Sequence, residues 1–94
     1  MLQRTMAPIW TTALAKSPTI LRKDGFRLLF FPREEPRPHV HVTCADGEAK
    51  FWLEPKIELA QNWSLDRRKL RAAEALIREN EYEIRSAWRD YFGN

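Results

Sequence analysis

Two Asp-Gly pairs constrain this chain more than any other feature. Asp24-Gly25 separates "PTILRK" from "FRLLFF", and Asp46-Gly47 separates "HVHVTC" from "EAKFWL". Asp-Gly between hydrophobic runs marks a two-residue hairpin loop, because both central residues need positive φ. The first half therefore reads as two hairpins, with strands at about 18–23, 26–31, 39–44 and 48–53 and a short fifth at about 57–60 after Pro55. The segment "PREEPRP" (32–38) joins the hairpins, and its prolines keep it out of any ladder. Strand 26–31 is apolar on both faces, as a central strand covered on each side would be.

From Ser64 onward the hydrophobic period changes. Ser64 is a good N-cap, and Asp66 places negative charge where the helix dipole favours it. Leu70, Ala73, Ile77, Ile84, Ala87, Trp88 and Tyr91 recur at helical spacing, and Gly93 supplies a stop. An unbroken helix from 65 to 92 would run about 42 Å, far longer than a five-residue strand. It is expected to project, to bend near Glu79-Asn80-Glu81, or to pair with a second copy as a homodimer. The expected fold is α+β: a small, mostly antiparallel sheet of four or five short strands packed on one long C-terminal helix. Residues 1–16 are read as a loosely ordered arm and 17–94 as a single domain.

The 94 residues suffice for one small core, and a 44% hydrophobic, 12% aromatic composition argues against disorder. One cysteine, Cys44, excludes an intrachain disulfide and a cysteine-cluster zinc site, and it points to a reducing cytoplasm. No apolar run approaches the roughly 20 residues that span a bilayer. Arg4 and Ala13-Leu14-Ala15 faintly resemble a signal peptide, but Pro8, Thr11 and Thr12 break its middle, so secretion is not expected. The formal charge of +3 permits a negatively charged partner without demanding one.

The residues with most chemistry sit in "EEPRPHVHV", Glu34 to Val42. With Asp46-Gly47 as the loop, Val42 faces Phe51, His41 faces Trp52 and His39 faces Glu54. Val40, Val42, Cys44, Ala49, Phe51 and Leu53 then share the core face. His39, His41, Thr43, Lys50, Trp52 and Glu54 share the other, with the two histidines about 7 Å apart along the strand.

Three readings of that face stay open. In the first, His and Trp form a cross-strand pair on a half-exposed surface, with Glu54 as an ion-pair partner. In the second, His39 and His41 bind a divalent metal, with Glu54, Glu34 or Glu35 as third ligand. In the third, the face cleaves RNA through its 2′-hydroxyl without metal or other cofactor. His39 and His41 would be acid and base, assisted by Glu54 or Glu35, with Arg33 and Arg37 at the phosphate and Trp52 stacking a base. Arg67, Arg68, Lys69 and Arg71 surround one helical turn and are suited to holding phosphates. A basic first turn opposes the helix dipole, so a negatively charged partner would explain it. Against that, Glu74→Arg78 and Glu81→Arg85 are ordinary i,i+4 pairs of a solvated helix.

Pro18-Thr19-Ile20, Gly25 before an aromatic-rich strand, Pro38-His39-Val40-His41-Val42, Ala49-Lys50-Phe51-Trp52 and a helix ending in Trp88 form a pattern. Over about 17–94 it resembles a small bacterial family catalogued only as domain of unknown function 4160. The resemblance implies a small cytoplasmic protein, often encoded beside another small protein in the manner of toxin–antitoxin pairs. The family's Pro-His-x-His motif falls on Pro38, His39 and His41, and its preceding acidic residue on Glu34 or Glu35. The resemblance carries no catalytic role with it. The resulting expectation is a toxin–antitoxin-type protein acting on RNA, with a neighbouring-gene protein as partner and no membrane association. The alternatives are a non-catalytic protein-interaction module and a metal-binding domain.

Overall fold

The computed structural model describes residues 19–31 and 35–93. The expectations placed on residues 1–16, Arg33 and Glu34 lie outside these. Five strands form one antiparallel meander in the order β1 (Thr19–Lys23), β2 (Phe26–Leu29), β3 (His39–Cys44), β4 (Gly47–Trp52) and β5 (Glu58–Trp63). Two helices follow, α1 (Arg67–Glu79) and α2 (Glu81–Phe92).

The first turn forms as its sequence dictates. Asp24 and Gly25 both take positive φ, 54° and 83°, between the paired residues Lys23 and Phe26. The second departs from expectation. Cys44 pairs with Gly47, so the two loop residues are Ala45 and Asp46. Gly47 is the first residue of β4, and its lack of a side chain serves a different need. A Cβ there would lie 2.2 Å from the Trp63 carbonyl oxygen, so glycine is what lets β5 come this close.

This slides every pair of the second hairpin by two residues. Val40 faces Phe51, His41 faces Lys50, and His39 faces Trp52 rather than Glu54. A slip of two preserves the alternation of faces, whereas a slip of one would have inverted it. The core face therefore stands as expected. Leu28, Phe30, Val40, Val42, Ala49, Phe51 and Leu53 pack with Ile57, Leu65, Ala73, Leu76, Ile77, Ile84 and Trp88 into one cluster. Strand β5 is longer than expected and continues to Trp63, with Ala60 the unpaired residue of a bulge between the Lys50–Gln61 and Phe51–Leu59 pairs.

The helical region starts later and breaks once. Ser64 adopts φ 75° instead of capping the helix. The Asn62 side chain accepts from the Leu65 backbone N–H (3.0 Å) and donates to its carbonyl (2.9 Å), which holds the chain in a turn there. Asp66 takes the N-cap, its carboxylate accepting the Lys69 N–H at 2.8 Å. The polar residue on the apolar seam, Asn80, ends α1, and its side chain donates to the Leu76 carbonyl at 2.9 Å. One projecting helix thus becomes two shorter ones, each with buried residues in the common core. No helix among the described residues is long and apolar enough to cross a membrane.

Candidate functional site

The histidine face is buried. His39 is 0% exposed, His41 2% and Lys50 7%. The half-exposed surface read from the sequence is corrected on this point. Phe31 stacks on His41 with ring centroids 4.0 Å apart, and Trp88 of α2 lies edge-on to His39 at 5.3 Å. The histidine rings meet each other edge to face at 5.3 Å, and the cross-strand His39–Trp52 contact forms at 6.0 Å. The contacts that bury the rings from outside this hairpin come from Phe31, where the chain leaves β2, and from the distant Trp88, so strand alternation could not show them.

Both rings are fixed by hydrogen bonds. His39 Nδ1 lies 2.7 Å from the Arg37 carbonyl oxygen. A carbonyl only accepts, so Nδ1 carries the hydrogen and a neutral ring has its basic lone pair on Nε2. His41 Nδ1 lies 3.2 Å from Glu48 Oε2 and donates to it in the same way. Glu48 was not singled out in the sequence. With the register corrected it stands opposite Thr43, diagonal to His41, which is within side-chain reach.

The other residues expected to assist the histidines have other partners. Glu54 forms an ion pair with Arg85 of α2, and Arg85 also donates to the Leu53 carbonyl at 2.6 Å and to Glu81 at 2.8 Å. The two-residue slip takes Glu54 beyond the end of β4, away from its expected place opposite His39. Glu35 pairs with Lys50 instead, and that hydrogen bond, with the ammonium charge, lowers the Glu35 pKa below the ordinary carboxylate value. Arg37 lies over the Trp52 ring at 4.0 Å while its Nε donates to the Glu54 carbonyl at 2.8 Å. Lys50 approaches the same ring at 4.8 Å, so Trp52 is occupied by cations rather than presented to a base. Among the described residues, no group of three or more His, Cys, Asp or Glu is arranged to hold a metal ion.

The basic turn of α1 is built differently. Arg67, Arg68 and Arg71 are exposed and form no ion pair with any described residue. Lys69 is held by Asp46 at 3.0 Å, a contact that raises the Lys69 pKa and ties the start of α1 to the β3–β4 turn. The first turn of α1 contains no acidic residue.

A family model described as Domain of unknown function (DUF4160) matches residues 25–89. Compared with the curated proteins and with the solved structures, the chain matches none. The matched segment runs from the first turn through both histidines and into α2.

Proposed function

The chain belongs to the family described as Domain of unknown function (DUF4160), and from its geometry we propose an RNA-directed protein of toxin–antitoxin type that acts by binding. The observation that carries this reading is the contrast in exposure. His39 and His41 are packed among Phe31, Trp52 and Trp88, whereas Arg67, Arg68 and Arg71 are exposed and have no acidic partner among the described residues. A general acid and base must come within hydrogen-bond reach of the reacting atoms. A polynucleotide meets the arginines first. Three exposed guanidiniums within five residues of one helix supply the positive charge that a phosphate backbone attracts. The histidines then serve the fold by holding the connection at Arg37 and pairing with Glu48 on β4.

The test is fluorescence anisotropy of a labelled single-stranded RNA titrated with purified protein over a salt series, with the RNA then run on a denaturing gel. Binding that weakens steeply with salt, leaving the RNA intact, is the expected result. No binding at low salt overturns the proposal. RNA cleavage abolished in His39→Gln or His41→Gln would restore the catalytic reading.

A second reading, a protein-interaction module for a neighbouring-gene product, is favoured by β5. This edge strand leaves Leu59 41% and Trp63 44% exposed, and an edge with exposed apolar side chains is suited to pairing with another chain. Elution as a stable complex with that product, abolished by Leu59→Lys, would support it over RNA binding.

A further inference from the structure

The meander brings two groups of cations together that are far apart in the sequence. Lys23 pairs with Phe26 and Arg27 with Thr43, so the β1–β2 and β3–β4 turns lie at the same end of the sheet. Strand β5 finishes at that end, with Trp63 opposite Glu48, and the Lys69–Asp46 ion pair fixes the start of α1 beside it. Arg22, Lys23 and Arg27 of the first hairpin thus share one end of the molecule with Arg67, Arg68 and Arg71.

Three features make this end unlike an ordinary solvated surface. Arg22 and Arg27 are directly opposite one another, an arrangement that disfavours the folded sheet unless something offsets the repulsion. Arg27 Nε donates to the Thr19 hydroxyl at 2.9 Å, and none of Arg22, Lys23 and Arg27 has an acidic partner among the described residues. The nearby acids are mostly committed: Asp46 to Lys69, Glu48 to His41, and Asp66 to the helix cap. Asp24, in the turn itself, is the exception. Finally, an indole stands at the end of the sheet in solvent, since Trp63 is 44% exposed.

We infer that this turn end is a surface for single-stranded RNA, on which Trp63 stacks an unpaired base while the hairpin and α1 arginines hold the phosphates on either side. The inference rests on the RNA reading above and gives it a location. The pairs Arg22–Arg27, Arg27–Thr43, Thr43–Glu48 and Glu48–Trp63 form one row across the sheet. With adjacent strands about 4.8 Å apart, Arg27 and Arg22 lie about 14 and about 19 Å from Trp63, a span for a strand a few nucleotides long. An exposed aromatic stacks on any unpaired base but not on one inside a duplex, so single strands are the fitting partner. Trp52, the indole expected from the sequence to do this, has its ring occupied by Arg37 and Lys50.

The experiment compares wild type, Trp63→Leu and the double variant Arg22→Ala/Arg27→Ala for binding to a labelled oligouridine and to an RNA duplex. Melting curves confirm that each variant is folded. Trp63→Leu should weaken oligouridine binding about tenfold, and the double variant should lower the magnitude of the log–log salt slope by about 1.4. The duplex should bind wild type more weakly than the single strand. Equal or tighter duplex binding overturns the stacking assignment. Wild-type binding that neither variant reduces overturns the location while leaving the RNA reading in place. Absence of any binding by wild type overturns both.

Discussion

The histidine face and the turn end of the same sheet treat polar residues in opposite ways. On the histidine face, each polar group has a specific neighbour. His39 donates to the Arg37 carbonyl, His41 to Glu48, and Lys50 meets Glu35, with Phe31 and Trp88 packed against the rings. At the turn end, Arg22, Arg27, Arg67, Arg68 and Arg71 have no acidic partner among the described residues, and two of them stand face to face. Burial with partners is how a polar residue contributes to a fold, because a buried group left unsatisfied is costly. Exposed cations without partners contribute little to stability, and their charge is free to act on something else. The residues that look most catalytic in the sequence are thus the buried ones, and we propose the exposed basic turn as the binding site.

The largest effect is expected from His39→Ala. It opens a cavity beside Trp52 and Trp88 and leaves the Arg37 carbonyl without its donor. A loss of about 3 kcal/mol follows, lowering the melting temperature by roughly 12 °C or more. Thermal unfolding followed by circular dichroism would read this, and an unchanged midpoint would break the comparison at its buried side.

A smaller, pH-dependent effect belongs to Glu35 and Lys69. The folded pKa of Glu35 lies below its ordinary value of 4.5, so its contribution is fully present above that value and is lost as pH falls through the folded pKa. Lys69 is raised from 10.5, so its contribution is present below that value and is lost as pH rises through the folded pKa. Glu35 is exposed and Lys69 partly so, and screening keeps both effects modest. Glu35→Gln should flatten the acid limb of a urea-midpoint-against-pH profile, and Lys69→Met the alkaline limb. An acid limb unchanged by Glu35→Gln would remove the Glu35–Lys50 contact from the account.

The smallest effect on stability belongs to the triple variant Arg67→Ala/Arg68→Ala/Arg71→Ala, whose unfolding free energy should stay within about 0.5 kcal/mol of wild type. Its RNA affinity should fall, with a salt slope reduced by about 2. A large drop in stability would show that these arginines belong to the fold after all.

What the sequence could reveal followed the range of the interaction. The Asp24-Gly25 turn is a local matter of backbone conformation, and it formed as read. Asp46-Gly47 looks identical over the same two residues but differs in its surroundings. Gly47 faces the Trp63 carbonyl from another strand, so the turn moved back by one residue. The sorting of Val40 and Val42 from His39 and His41 survived because a two-residue slip keeps each side chain on its face. Glu54 did not keep its place opposite His39, since partners, unlike faces, depend on exact register. The burial of the histidines depends in part on Trp88, which is far along the chain and which periodicity marks only as part of a helical apolar seam. The break at Asn80 was legible, because a polar side chain on an apolar seam needs a local reason, here the Leu76 carbonyl.

In the proposed reading the buried histidines serve the fold and the exposed arginines serve binding. The most direct measurement determines melting temperature and oligouridine affinity side by side for the double variant His39→Gln/His41→Gln and the triple arginine variant, with affinities measured well below each melting point. The account predicts that the histidine variant melts lower yet binds RNA like wild type, while the arginine variant melts like wild type and loses most of its binding. A histidine variant that keeps its stability but loses RNA binding or cleavage would contradict it.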